Sequence, residues 1–110
     1  MSPLLLVADI EDSIKFYTQK LGFSLEFRYE DFYAGIVRNG HSIHLKSGTP
    51  PERNKEDLEI TFSVSGIGDL YEELLTKSIE VVQPLRDMPY GREFYVEDLD
   101  GNVIAFLEEV

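Results

Sequence analysis

The chain has 110 residues and no cysteine, only two histidines, and 10 basic residues against 21 acidic ones. The missing cysteine removes disulfides, thiolate nucleophiles and thiolate metal sites, so any metal would have to use imidazole nitrogen and carboxylate oxygen. The shortage of lysine and arginine leaves a formal net charge of -11 and no basic stripe, which argues against nucleic acid as a partner. Such an acidic excess serves first as a solvated surface and second as an attraction for cationic ligands. Long apolar runs are also missing. Leu4 to Ala8 is too short for a signal-peptide core with its cleavage site, and far short of the about 20 residues that a membrane span needs. The expectation is a cytoplasmic protein with no membrane partner. A Ser-His-Asp arrangement, a phosphate-cradling glycine loop and a nucleotide fingerprint are absent as well.

What is present is a pattern written twice. A chain of this length can bury somewhat over 60%, roughly, of its unfolded surface without staples. The apolar run Leu4 to Ala8 suits a strand. From Asp9 the period changes, with Ile10, Ile14, Tyr17 and Leu21 recurring at helical steps until Gly22 stops them, which predicts a helix of about three turns. Phe23, Leu25 and Phe27 then alternate with Ser24, Glu26 and Arg28 as in a half-buried strand, and strands follow from Phe32 and from His41. Residues 1–47 therefore read as β-α-β-β-β. Residues 48–56, with Gly48, Pro50, Pro51 and a run of charges, have no apolar period and read as a linker.

The order repeats over residues 57–110. Ile60, Phe62 and Val64 alternate as a strand; Leu70, Leu74 and Leu75 mark a helix introduced by Gly66 to Asp69; Val81, Val82 and Leu85 give a further strand. The end of the chain is a hairpin, with β-branched and aromatic residues on both sides of Asp100-Gly101. Its plan repeats that of Phe32 to Leu45. Val7-Ala8-Asp9-Ile10 aligns with Val64-Ser65-Gly66-Ile67, and the same register puts Lys20 on Lys77 and Leu25 on Val82.

Asp9-Ile10-Glu11-Asp12-Ser13-Ile14-Lys15-Phe16-Tyr17 leading to Leu21-Gly22-Phe23, the segments Glu30 to Arg38 and Gly66 to Tyr71, and Pro89-Tyr90-Gly91-Arg92-Glu93-Phe94 with Asp98 to Asn102 carry a resemblance over the whole chain. It resembles the vicinal oxygen chelate superfamily of glyoxalase I, extradiol dioxygenases and bleomycin resistance proteins, and within it the bleomycin resistance proteins most. The resemblance implies an α+β fold of two βαβββ modules, paired into concave sheets through a homodimer. It also implies a non-catalytic small-molecule binder that sequesters an aromatic, cationic antibiotic in a dimer-interface groove.

The superfamily's enzymes hold a divalent metal at positions that fall here on Ser2, His44, Glu59 and Ala105. Ser2 and Ala105 lack the donors such a site needs, which leaves His44 and Glu59 and no expected metal cofactor. For the binding reading, the resemblance implies that Tyr33 and Tyr90 stack on the flat part of the ligand, with Phe27, His44, Glu59 and Arg92 lining the site. Tyr90 stands where the resistance proteins commonly have tryptophan. Arg92 has a second reading, as a brace that pairs a carboxylate across the hairpin, while Gly91 serves backbone geometry and Asp98 and Asp100 shape the turn. Two alternatives stay open. One is a metal-dependent lyase or dioxygenase with His44 and Glu59 as ligands; the other is a binding module for another small aromatic metabolite.

Overall fold

A computed structural model of the chain describes residues 3–49 and 58–110, in two units, Met1–Glu52 and Arg53–Val110. Of the expected linker, Gly48 and Thr49 are described, and the Gly48 amide donates to Val7 O at 3.0 Å; residues 50–57 lie outside the described residues.

The first unit runs β1 (Leu4–Val7), α1 (Ile10–Gln19), β2 (Ser24–Tyr29), β3 (Tyr33–Arg38) and β4 (His41–Ser47), with sheet order β1-β4-β3-β2. β1 lies parallel to β4, and the other pairings are antiparallel. Asp9 caps α1 by accepting the Asp12 amide at 2.9 Å, as its carboxylate and position predict. At the other end Gly22 turns the chain at φ +75°. The helix buries Ile10, Ile14, Phe16 and Tyr17 on β2, β3 and β4, whose facing residues include Ala34, Ile36, Ile43 and Leu45. Tyr17 meets Phe16 and Phe23 edge-on, with ring centroids 5.4 and 5.5 Å away.

The second unit repeats the plan as β5 (Leu58–Ser63), α2 (Ile67–Leu75), β6 (Glu80–Met88), β7 (Gly91–Glu97) and β8 (Val103–Glu109), with sheet order β5-β8-β7-β6 and β5 parallel to β8. Here a row of phenylalanines lies under the helix. Phe62, Phe106 and Phe94 are neighbours on three adjacent strands, and Tyr71 of α2 packs on Phe94 with ring centroids 5.0 Å apart. The position that aligns with Asp9 is Gly66, which has no side chain to cap α2. The capping carboxylate comes instead from β8, where Glu108 Oε2 accepts the Gly66 amide at 2.7 Å.

Two strands depart from the simple alternation. In β2 the register shifts between Leu25 and Phe27, so Leu25 pairs with Ile36 and Phe27 with Gly35. Directly paired residues share a face, and adjacent residues on β3 do not, so this bulge puts Leu25 and Phe27 on opposite faces. The single buried stripe read from the sequence is thereby broken, and Leu25 is 47% exposed. β6 is longer than expected and carries Pro84 within the second of its two register shifts, between Gln83 and Arg86. It is an edge strand, where the missing N–H costs no ladder bond.

The terminal hairpin turns on Asp98, which is 7% exposed. Its Oδ1 accepts the amides of Asp100 and Asn102, and its Oδ2 accepts Asn102 Nδ2, each at 2.9 Å. Gly101 sits in this loop at φ +80°, with no atom within 4 Å of where a Cβ would stand. Gly91 is different. Its φ is +146°, and a Cβ there would stand 2.2 Å from Glu108 O and 2.9 Å from Glu109 Cα. Gly91→Ala is therefore expected to cost about 3 kcal/mol or more, from strain plus a clash with backbone, while Gly101→Ala costs about 1 kcal/mol from strain alone. Urea unfolding of the two variants checks the ordering, and equal losses would refute the close approach at Gly91.

Candidate functional site

In the first unit the helix covers one face of the sheet, and four rings gather on the other. Phe27 and Tyr29 come from β2, Tyr33 from β3 and His44 from β4. The register explains why they share a face, because Tyr29 pairs with Tyr33, Phe27 with Gly35, and Gly35 with His44. Phe27 and Tyr33 lie within 20° of parallel at 6.0 Å, and the His44 imidazole stands at 87° to Phe27 (5.2 Å) and 73° to Tyr33 (5.5 Å). The Tyr33 hydroxyl and His44 Nδ1 are 2.7 Å apart, a hydrogen bond that fixes the imidazole's rotation. Phe27, Tyr33 and His44 are half-buried, and Tyr29 is 59% exposed.

Gly35 is what allows this arrangement. A Cβ there would stand 2.1 Å from Phe27 Cε2, so the ring rests on bare backbone. The sequence reading missed both Gly35 and Tyr29. A glycine two residues after an expected stacking tyrosine, inside a strand, was the available signal for a close approach.

The second unit places a buried charge on its helix-free face. Glu93 is only 5% exposed. Its Oε2 accepts Arg86 Nε and Nη2 at 2.9 and 2.6 Å and the Tyr95 hydroxyl at 2.9 Å, and its Oε1 accepts the Tyr90 hydroxyl at 2.7 Å. Burial pushes this carboxyl's pKa up, and the hydrogen bonds from Tyr90, Arg86 and Tyr95 outweigh it, holding the net value below the ordinary 4.5. The same bonds act on the partners. Tyr90 is raised by its bond to Glu93, Tyr95 by burial and then by that bond, and Arg86 by its bond to the carboxylate.

Of the residues predicted for the site, the structure brings Phe27, Tyr33 and His44 together on one face. Tyr90 belongs to the second unit, 46% exposed and held at its hydroxyl by Glu93. Arg92 is adjacent to Glu93 on β7 and so points to the opposite face, where its guanidinium lies beside Gly68 of α2. Its Nε is 3.4 Å from Asp87 Oδ1 on the paired strand, which is the bracing role across the hairpin. Glu59 lies on β5, but its side chain, like all of Ser2, falls outside the described residues.

Those placements also test whether the described residues suit a metal. Ala105 is buried and offers no donor, His44 Nδ1 is engaged by Tyr33, and no group of three or more His, Asp or Glu side chains converges among the described residues. The described donor set does not fit a metal centre. Nor is any described helix long and apolar enough to cross a membrane.

The charge at Glu93 makes a pH-dependent prediction. Its folded pKa lies below the unfolded one, so its stabilising contribution is complete above the ordinary carboxylate range and is lost as pH falls through the folded value. Tyr90 and Tyr95 act in the other direction, because their raised values mean a contribution present below the ordinary 10.0 and lost as pH rises through the folded values. Glu93→Gln is expected to lower stability by about 2 kcal/mol at neutral pH, the worth of charge-assisted hydrogen bonds to a buried carboxylate. Urea unfolding at neutral and acid pH should show that gap narrowing below about pH 4.5. A gap of the same size at both would refute the assignment.

Comparison with known proteins gives the lineage. The family model described as Glyoxalase/Bleomycin resistance protein/Dioxygenase superfamily matches residues 2–106. A bleomycin resistance protein of Geobacillus stearothermophilus is 32% identical, over 98% of this chain and 95% of that protein. Among solved structures, TioX from Micromonospora sp. ML1 superposes with a TM-score of 0.86 at 20% identity, covering 100% of this chain and 98% of that one. The bleomycin-binding protein from bleomycin-producing Streptomyces verticillus, complexed with copper(II)-bleomycin, gives 0.74 at 23% identity, covering 100% and 95%. The two solved structures match in fold, and the family model and the curated relative each match nearly the whole chain in sequence; the chain belongs to the Glyoxalase/Bleomycin resistance protein/Dioxygenase superfamily.

Proposed function

We propose that this protein binds a small, flat, aromatic antibiotic of the bleomycin type without transforming it. The observation that carries the reading is the ring cluster of Phe27, Tyr29, Tyr33 and His44, left half-exposed on a sheet face that its own helix does not cover. Apolar rings are more often buried than presented to water, and a flat ligand laid on them would recover that surface. The 32% identity to a bleomycin resistance protein over nearly the whole of both chains supports the choice of ligand class. The charge of -11 supports a ligand carrying positive charge, whose encounter it would accelerate at low salt.

In this reading Phe27 and Tyr33 supply the stacking surface and His44 a polar point within it. Tyr90, pinned by Glu93, offers a separate aromatic contact in the second unit. The working form is a homodimer in the cytoplasm, and binding needs no resident metal.

Titration calorimetry of the metal-stripped protein with copper-free bleomycin tests this. Saturable binding is expected, unchanged by chelator, with sedimentation giving a species of twice the chain mass. Tyr33→Ala should weaken binding tenfold or more, roughly, through lost stacking and burial. Gly35→Ala should weaken it similarly while leaving Tyr33 intact, because its Cβ evicts the Phe27 ring. No heat with the drug would sink the antibiotic reading, and binding indifferent to both substitutions would move the site off this face.

A further inference from the structure

Of the two ring nitrogens of His44, inside the aromatic cluster, one is hydrogen-bonded within the fold and the other, among the described residues, is not. His44 Nδ1 is taken by the Tyr33 hydroxyl at 2.7 Å, and the backbone amide of His44 by Pro3 O at 2.8 Å, whereas Nε2 has no hydrogen-bond partner among the described residues. The ring is only half-buried. Its plane is fixed on three sides, by near-perpendicular contacts with Phe27 and Tyr33 and by the bond at Nδ1.

The chemistry of the pair decides what Nε2 can offer. A phenol is a stronger donor than acceptor, because its oxygen lone pair is delocalised into the ring, and a pyridine-type imidazole nitrogen is a strong acceptor. The 2.7 Å contact fits either direction, and this preference favours the one in which the Tyr33 hydroxyl donates to Nδ1 and the imidazole proton sits on Nε2. We infer that Tyr33 and His44 form a polar reader within the stacking face, in which Nε2–H donates to an acceptor on the ligand's ring, and that the face selects flat heteroaromatic rings with an in-plane nitrogen or carbonyl over all-carbon rings of the same shape.

The inference rests on the proposed aromatic binding face and adds what that face discriminates. His44 and Tyr33 divide the work: the imidazole touches the ligand, and the tyrosine is both stacking surface and positioning residue, since its hydroxyl sets the tautomer. Stacking alone is tolerant of ring composition, because every aromatic ring has a π-face. A single donor among such rings rejects a ligand without an acceptor, because the donor would then be covered and unpaired.

The test compares two probes of equal charge and nearly equal shape, the aminomethyl derivatives of quinoline and of naphthalene, titrated against the full chain by amide chemical-shift perturbation. The quinoline-to-naphthalene affinity ratio is expected to fall roughly three- to tenfold in His44→Phe, one hydrogen bond's worth. Naphthalene affinity should stay within about twofold, since one aromatic ring replaces another. Tyr33→Phe keeps the stacking ring and should lower the ratio by a smaller factor. In the unsubstituted protein the imidazole nitrogen shifts should report a proton on Nε2 and a lone pair on Nδ1, a readout that needs no variant. A ratio unchanged in His44→Phe, or a proton found on Nδ1, overturns the reader and leaves the aromatic face standing. If neither probe binds, the reader and the face fall together.

Discussion

In each half of this chain the first strand pairs in parallel with the last, and that pairing governs what the rest can do. Parallel neighbours cannot be joined by a tight turn, so the chain must leave the sheet and return, and each unit does so with one helix. One helix covers one face. The other face of each four-stranded sheet must then be finished by whatever side chains the strands place there. The two units solve this differently. In the second, the aromatic row Phe62, Phe106 and Phe94 lies under the helix, which sets Tyr71 on Phe94, and the helix-free face carries Glu93 with its hydrogen-bonded partners. In the first, the helix covers aliphatic strand residues, and the rings are outside.

Both helix-free faces run against the usual distribution of polarity, and in each case a specific device makes that tolerable. Placing a carboxylate at 5% exposure costs free energy unless its oxygens are filled, and four donor atoms from Arg86, Tyr90 and Tyr95 fill them. Leaving rings half in water forfeits burial, which packing between them partly restores: Phe27 rests on Gly35 and meets Tyr29, Tyr33 and His44. The glycine is not neutral either, since a strand interior without a side chain is weakened. That cost and the unburied rings fall on the same few residues, which is where a fold's local rules are expected to give way to function.

Much of the fold was readable in advance because it rests on local chemistry. Asp9 and Gly22 bounded α1, the alternation of Ile60 and Phe62 marked β5, and the Asp98 to Asn102 loop announced the last hairpin. The neighbourhood of Tyr33 and His44 could have been read from the hairpin between them. What could not be read was the bulge at Glu26, which breaks the alternation read for Leu25 and Phe27 and sets Phe27, named for the site by resemblance alone, at the centre of the ring cluster. The Glu93 hub was hidden for a similar reason. Arg86 reaches it only after two register shifts in β6, and strict alternation from Val81 and Leu85 gives no such partner. Arg92, one residue along, drew attention by its charge and stands on the other face.

The internal repeat sharpens this point. Two halves with one topology set their strand phenylalanine and tyrosine rows differently, a ring cluster on the helix-free face in the first and a phenylalanine row under the helix in the second, and they cap equivalent helices by different means, a local aspartate in one and a distant glutamate in the other. Topology is therefore silent about which face meets a ligand. The decision is made by a handful of residues whose register the bulges set, and a one-residue slip in β2 would carry Phe27 back to the helix side and leave Tyr33 and His44 without the ring that joins them. In this superfamily member, strand register acts first and residue identity second in deciding which side chains share a face.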